Sequence, residues 1–289
     1  MIPFPIVDSH VHFLDPQLLN YRWLAGVPAL NRPHRPADFT AACGPVAVDG
    51  IVFVEVDADP GQRLAEAEWV AGLADGEPRL RAMVASAALE RGDDVRGELE
   101  RLKSLSPVRG IRRLIQNEPD PDFCLSEGFI AGVRLLAECD FSFDICIRHQ
   151  QFPAALQLVR GCPEVRFVLD HVGKPGIGDG LMEPWRSHVR EFAALPNVWC
   201  KLSGMATEAG NSDGMAERVR PYIDTVIESF GFDRLMFGGD WPVCELAIGY
   251  PDWVAMVDRA TQGCSEAERR KLFRDNAIAF YRMSREPFR

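Results

Sequence analysis

The 289-residue chain carries no CxxC pair among its eight cysteines, no basic stripe, no long apolar run and no glycine-rich turn after its first strand-like segment. Each absence removes a class of protein. Cysteines at 43, 124, 139, 146, 162, 200, 244 and 264 fall partly in apolar runs, so buried reduced thiols are expected rather than a disulfide framework or a thiolate metal site. A formal net charge of −10, without clustered lysine or arginine, argues against nucleic acid as the partner. With no basic leader and no apolar stretch of about 18 residues, neither a signal peptide nor a membrane span is expected, and a cytoplasmic protein follows as an expectation. Linkers, repeats and low-complexity tracts are also missing, which leaves a single domain over residues 1–289.

What is present is a regular alternation. Strand-like segments read FPIVDSHVHF, DGIVFVEVD, LRAMVASAAL, VRGIRRLIQ, FSFDICIRH, VRFVLDH, NVWCKLSG and RLMFGGDW. Between them lie amphipathic stretches such as GQRLAEAEWVAGLAD and MAERVRPYIDTVIESFG. Strand then helix, repeated eight times, predicts an α/β fold of the (β/α)8 TIM-barrel type. An open doubly wound sheet is the alternative, but the phosphate turn it would need is missing.

In such a barrel, functional groups gather at the C-terminal ends of the strands. His10 and His12 end the first strand, Glu55 the second, His149 the fifth, His171 the sixth and Asp240 the eighth. Arg112, Arg113 and Gln116 belong to the fourth, and Lys201 and Ser203 share a face of the seventh. Simple alternation puts Asp8, His10 and His12 on one face of the first strand, Val7 and Val11 on the other. Asp8 is read as a backbone cap or orienting group. Arg112 and Arg113 face opposite ways, and Arg112 is taken as the inward one. His34 and His188 fall in loop or helix contexts and are expected to be exposed. Imidazoles and a carboxylate converging at a barrel mouth suit zinc or a similar divalent ion.

The HxH pair, LDHVGKP, KLSG and FGGDWPV, in this order, resemble the amidohydrolase superfamily. More narrowly they resemble its predicted metal-dependent TIM-barrel branch, which holds sugar lactonases and 2-pyrone-4,6-dicarboxylate hydrolase. LNYRWL and DNAIAFY extend the resemblance over nearly the whole chain. It implies hydrolysis of a sugar-acid lactone, with Asp240 as general base and His171 orienting the carbonyl. It also implies one divalent metal, zinc foremost, or none, held by His10, His12, His149 and Asp240. The fourth strand, GIRRLIQ, offers no bridging lysine or carboxylate, which argues against two metals. Substrate contacts are assigned to Glu55, Arg112, Lys174, Lys201 and Trp241, with Tyr21 and Trp23 from the loop after the first strand. Glu55 in the pocket would repel a dianion and so favours a neutral polyol lactone over an anionic pyrone. Other readings left open are a lactone isomerase or decarboxylase, a barrel that only binds a small molecule, and either a monomer or a homo-oligomer.

Overall fold

The computed structural model describes residues 2–210 and 213–283. Eight strands form one parallel sheet in sequential order: β1 (Ile6–Val11), β2 (Val48–Val54), β3 (Leu80–Ser86), β4 (Val108–Arg112), β5 (Ser142–Ile145), β6 (Arg166–Leu169), β7 (Val198–Leu202) and β8 (Leu235–Phe237). At the seam between β1 and β8, the His12 N–H donates to the Trp241 carbonyl and the Asp240 N–H to the His10 carbonyl, each at 2.8 Å. The helices of the first six units are α1 (Pro36–Cys43), α2 (Arg63–Leu73), α3 (Arg96–Ser104), α4 (Glu127–Cys139), α5 (Phe152–Gly161) and α6 (Trp185–Ala193). After β7 come α7 (Met205–Ala209) and α8 (Met215–Phe230); after β8 come α9 (Tyr250–Ala260), α10 (Glu266–Arg270) and α11 (Asn276–Phe280). The expected (β/α)8 barrel is therefore what the chain adopts.

Period-two alternation builds its two apolar layers. Along β2, Val52 and Val54 point inward to meet Val7, Val84 and Met236, while Ile51 and Phe53 point outward under the helices. Phe280, the last residue of α11, and Tyr281 and Met283 beyond it pack into the inner cluster and close the barrel below. Each large apolar side chain so buried stabilises the fold by about 1.5–3 kcal/mol. With aliphatic groups filling the lower barrel, the polar interior is confined to its upper half.

All eight strands end before the segments expected for them, so that His12, Glu55, His171, Ser203 and Asp240 lie just past their strands, and two further residues lie well past theirs. β5 ends at Ile145, so His149 lies in a following turn rather than on the strand, and β4 ends at Arg112, which puts Gln116 beyond it. The cause is local: Ile115 and Gln116 give their N–H groups to the Cys146 carbonyl in a turn-to-turn contact rather than a ladder. In β1 the pairing register shifts between Asp8 and Val11. That bulge breaks the simple alternation. Asp8 turns outward to accept from Gly239 N–H (2.8 Å) and Tyr250 Oη–H (2.9 Å), whereas His10 and His12 face the barrel mouth. All eight cysteines are free, and seven are buried.

Candidate active site

The mouth is organised around one carboxylate oxygen. Asp240 Oδ1 lies 3.3 Å from His12 Nε2, 3.8 Å from His10 Nε2 and 3.9 Å from His171 Nε2. His12 donates Nδ1–H to the Val54 carbonyl at 2.8 Å. A carbonyl can only accept, so Nε2 is the atom left for the pocket. His171 Nδ1 is anchored at 2.9 Å to Ser203 Oγ, on the strand-end KLSG. Asp240, His171, Val172 and Lys174 all sit at positive φ, between 47° and 58°. For the β-branched Val172 this conformation is costly, and the Trp185 indole holds it by donating to its carbonyl at 2.7 Å.

Burial alone would raise the Asp240 pKa, but His171, His12 and Lys174 outweigh it and hold the carboxyl below its ordinary value. It is thus ionised at neutral pH. Burial drives the His10 pKa well below normal, helped by Lys201, His12 and Arg112. For His171 burial again dominates and Asp240 only partly opposes it. Both rings are therefore neutral. Asp8, buried behind the first strand, is pushed up to about 7 by desolvation despite its N–H and Tyr250 donors.

Beneath the imidazoles lies a layer of buried charges. Lys201 Nζ pairs with Asp144 Oδ2 at 2.6 Å and Asp170 Oδ1 at 3.0 Å, and lies 3.3 Å from His10 Nδ1. Arg112 gives Nε–H to Glu55 Oε1 (2.6 Å), Nη2–H to the Glu55 carbonyl (2.5 Å) and Nη1–H to Asp170 Oδ2 (3.1 Å). Arg113 points the other way, to Glu90 and Glu118, as its opposed facing predicts. His10 Nδ1 also lies 3.4 Å from Asp170 Oδ1. Its proton can go to Asp170, leaving an Nε2 lone pair in the pocket, or Nδ1 can accept from Lys201, presenting Nε2–H instead.

A cavity of about 350 Å³ opens above this floor, its walls including Trp23, Asp57, Gln116, Arg148, Lys174 and Leu246. A larger groove of about 540 Å³ lies at the opposite end of the barrel. It is walled mostly by proline and aliphatic side chains, such as Pro3, Pro45 and Val254, without a convergent set of titratable groups. The chemistry-bearing residues converge on the smaller one.

Of the residues singled out in the sequence, His10, His12, His171 and Asp240 come together at the pocket floor, and Trp23, Lys174 and part of Arg112 line it. Others are placed differently. His149 lies apart, its Nδ1 3.1 Å from the Lys174 carbonyl, because the early end of β5 carries it past the mouth. Trp241 is 1% exposed, packed on His34 and Phe39 with its indole N–H on Glu245, and offers no platform to a ligand. Tyr21 is buried in the core with its hydroxyl beside Glu66. Lys201 and Glu55 belong to the buried ion layer, not to the pocket wall. His34 is fully buried rather than exposed, and His188 is half-buried on the Phe152 ring. Asp144 and Asp170 went unread, although a carboxylate inside FSFDI demands a buried partner and Asp170 directly precedes His171.

The donor set fits one divalent ion. With Nδ1 committed to the Val54 carbonyl, His12 turns Nε2 toward Asp240 Oδ1 at 3.3 Å, and an ion between them would be held by both. His10, His12 and Asp240 offer donor atoms within 4.8 Å of one another. A tetrahedral shell with bonds of about 2.0–2.2 Å spaces its donors roughly 3.4 Å apart, close to the separations found. Mixed nitrogen and oxygen donors suit zinc among others.

Residues 7–283 match the Amidohydrolase family model. The chain is 32% identical to an L-fucono-1,5-lactonase from Burkholderia multivorans, with 95% of each chain covered. It is 31% identical to an L-fucono-1,5-lactonase from Burkholderia ambifaria over 96% of each. A solved amidohydrolase structure from Burkholderia multivorans with bound zinc superposes with a TM-score of 0.88 at 30% identity, covering 97% of this chain and all of that one.

Proposed function

The chain belongs to the amidohydrolase family and is a hydrolase, and from that premise we propose that it opens the lactone ring of a sugar acid. The observation that carries the reading is the Asp240 carboxylate ringed by three imidazole Nε2 atoms on the pocket floor. Asp240 takes a proton from the attacking water. The water oxygen bonds to the lactone carbonyl carbon, the ring C–O bond breaks, and the proton on Asp240 passes to the departing ring oxygen. The product is the open hydroxy acid. His171, held by Ser203, orients the carbonyl oxygen from one side, and His10 supports it from the other.

The ion site is assigned to His10, His12 and Asp240, and zinc is favoured by the zinc-bound relative. An ion there would polarise the carbonyl and lower the pKa of water. Holding it uses the His10 tautomer that gives its Nδ1 proton to Asp170. The other tautomer serves a metal-free site, with Nε2–H donated to the substrate.

L-fuconolactonases as relatives favour a neutral polyhydroxy lactone. A second reading, an anionic lactone, gains from one observation. Glu55 is neutralised by Arg112 and buried, so it does not repel an anion, while Lys174 and Arg148 stand in the wall.

The test is Asp240→Asn, assayed by acid release from a panel of neutral aldonolactones and anionic pyrone lactones, with product analysis. Loss of the base predicts a kcat decrease of about 10²–10⁴-fold with the fold intact. A variant that turns over its best substrate like wild type refutes the role of Asp240. Carbon dioxide release or a retained ring in the wild-type product would assign a decarboxylase or isomerase instead. Chelation in the same assay separates the two His10 tautomers, since only the ion-holding form loses activity.

A further inference from the structure

A second cation position lies directly below the first, and the chain fills it with its own ammonium. Lys201 is fully buried, and its Nζ has Asp144 Oδ2 at 2.6 Å, Asp170 Oδ1 at 3.0 Å and His10 Nδ1 at 3.3 Å. Tyr281, from the segment that closes the barrel below, donates to Asp144 Oδ2 at 2.7 Å and sets its ring 5.5 Å from the same nitrogen. Two carboxylate oxygens and an imidazole nitrogen around one positive centre are also ligands for a divalent ion. Independently of Lys201, His10, Asp170 and His171 form a second group of donor atoms within 4.8 Å of one another. Asp144 Oδ1, fully buried, has no hydrogen-bond partner among the described residues. His10 thus has one ring nitrogen in each position: Nε2 above, toward Asp240, and Nδ1 below, toward Lys201.

We propose that Lys201 is a positioning residue that acts as the resident cation of this deeper position. It limits the chamber to one exchangeable ion and holds Asp144 and Asp170 in place, and through Asp170 the His10 ring, whether or not the upper ion is bound. This goes beyond the hydrolytic reading and does not depend on which bond is cleaved, because its readout is ion content rather than turnover. Removing the ammonium leaves Asp144 without a counter-charge and Asp170 with only the guanidinium of Arg112 that it shares with Glu55, so a divalent ion is expected to enter.

The experiment uses the full chain, freed of metal, as wild type, Lys201→Ala, and Lys201→Ala with Asp144→Asn. Each is titrated with Mn²⁺ and Zn²⁺ by calorimetry, with elemental analysis after desalting and thermal unfolding alongside. Lys201→Ala is expected to bind one ion more than wild type and to gain more thermal stability from it, and the added Asp144→Asn is expected to abolish the gain. A wild type that takes two ions with Lys201 intact overturns the proposal, as does a folded Lys201→Ala with no extra ion. Should Lys201→Ala fold only when ion is present, that dependence is itself the expected replacement; insolubility with and without ion overturns it. Lys201→Met, which fills the space without charge or donors, is expected to gain no ion and to weaken any upper ion by about 10–100-fold. Unchanged upper-ion affinity would overturn the positioning role, and acquisition of the second ion by Lys201→Met would refute the assignment of the ammonium's place.

Discussion

Gly204 offers a severe test of how tightly the pocket floor is built. It follows β7 in KLSG at φ +67°, and a Cβ added there would lie 2.6 Å from both Cγ and Nδ1 of His171 and 2.8 Å from its Cβ. Ordinary carbon contacts begin near about 3.5 Å, so the ring must move by roughly 1 Å. It has little room, since its Nδ1 is tied to Ser203 Oγ and its ring packs 4.4 Å from that of His10. Gly204→Ala is therefore expected to cost about 1–2 kcal/mol of stability from the left-handed backbone, which in a chain of this size lowers Tm by about 2–4 °C. Displacing a carbonyl-orienting group by about 1 Å is expected to cut kcat about 100-fold. Gly231→Ala is the control: its φ is +62° and its Cβ would meet nothing within 4 Å, so it should lose similar stability and no activity. Initial rates on the best lactone and melting curves decide the matter. Equal turnover in the two variants would refute the claim that His171 is held in register by the missing Cβ.

Further expectations concern charge and thiols. Glu66 is fully buried beside Tyr21 and Glu55, and burial raises its pKa well above the ordinary value. The unfolded chain then loses its proton first as pH rises past about 4.5, while the folded state still holds it. Stability should fall from there by up to about 1.4 kcal/mol per pH unit until the folded group ionises. Glu66→Gln, which mimics the protonated acid, should remove that slope, and parallel urea-midpoint profiles for the two proteins from pH 5 to 8 would contradict it. Arg112→Met strips Glu55 and Asp170 of a shared partner, with an expected loss of about 3–5 kcal/mol in urea unfolding. A loss below about 1 kcal/mol would mean the ion layer is solvated rather than dry. Because only Cys264 is not buried, a thiol reagent under native conditions should find at most that one group quickly, and several fast thiols would indicate a loosely packed barrel.

The barrel was legible because strand and helix periodicities are local, and eight alternations over one chain leave few architectures that bury every apolar face. The ends of the first, sixth and eighth strands were legible for the same reason: a parallel barrel brings all strand ends to one mouth, so His10, His12, His171 and Asp240 needed only the topology to meet. The turn after β5 was not legible. Whether FSFDICIRH continues as strand past Ile145 is decided by the Cys146 carbonyl, which takes two N–H groups from the β4 turn and so moves His149 off the site. The bulge in β1 is likewise a matter of pairing with β2, and it turns Asp8 away from the histidines it accompanies in sequence. Charge placement was decided at longest range. Lys201, Glu55 and Arg112 could each have faced a ligand, but the carboxylates of Asp144 and Asp170 reach the same buried layer from β5 and the turn after β6. Buried charges must find one another, so those side chains turned inward. Sequence alone determined that His10, His12, His171 and Asp240 would gather at the mouth; the tertiary structure decided that His149, Trp241 and Tyr21 would not, and which charged groups neutralise one another beneath it.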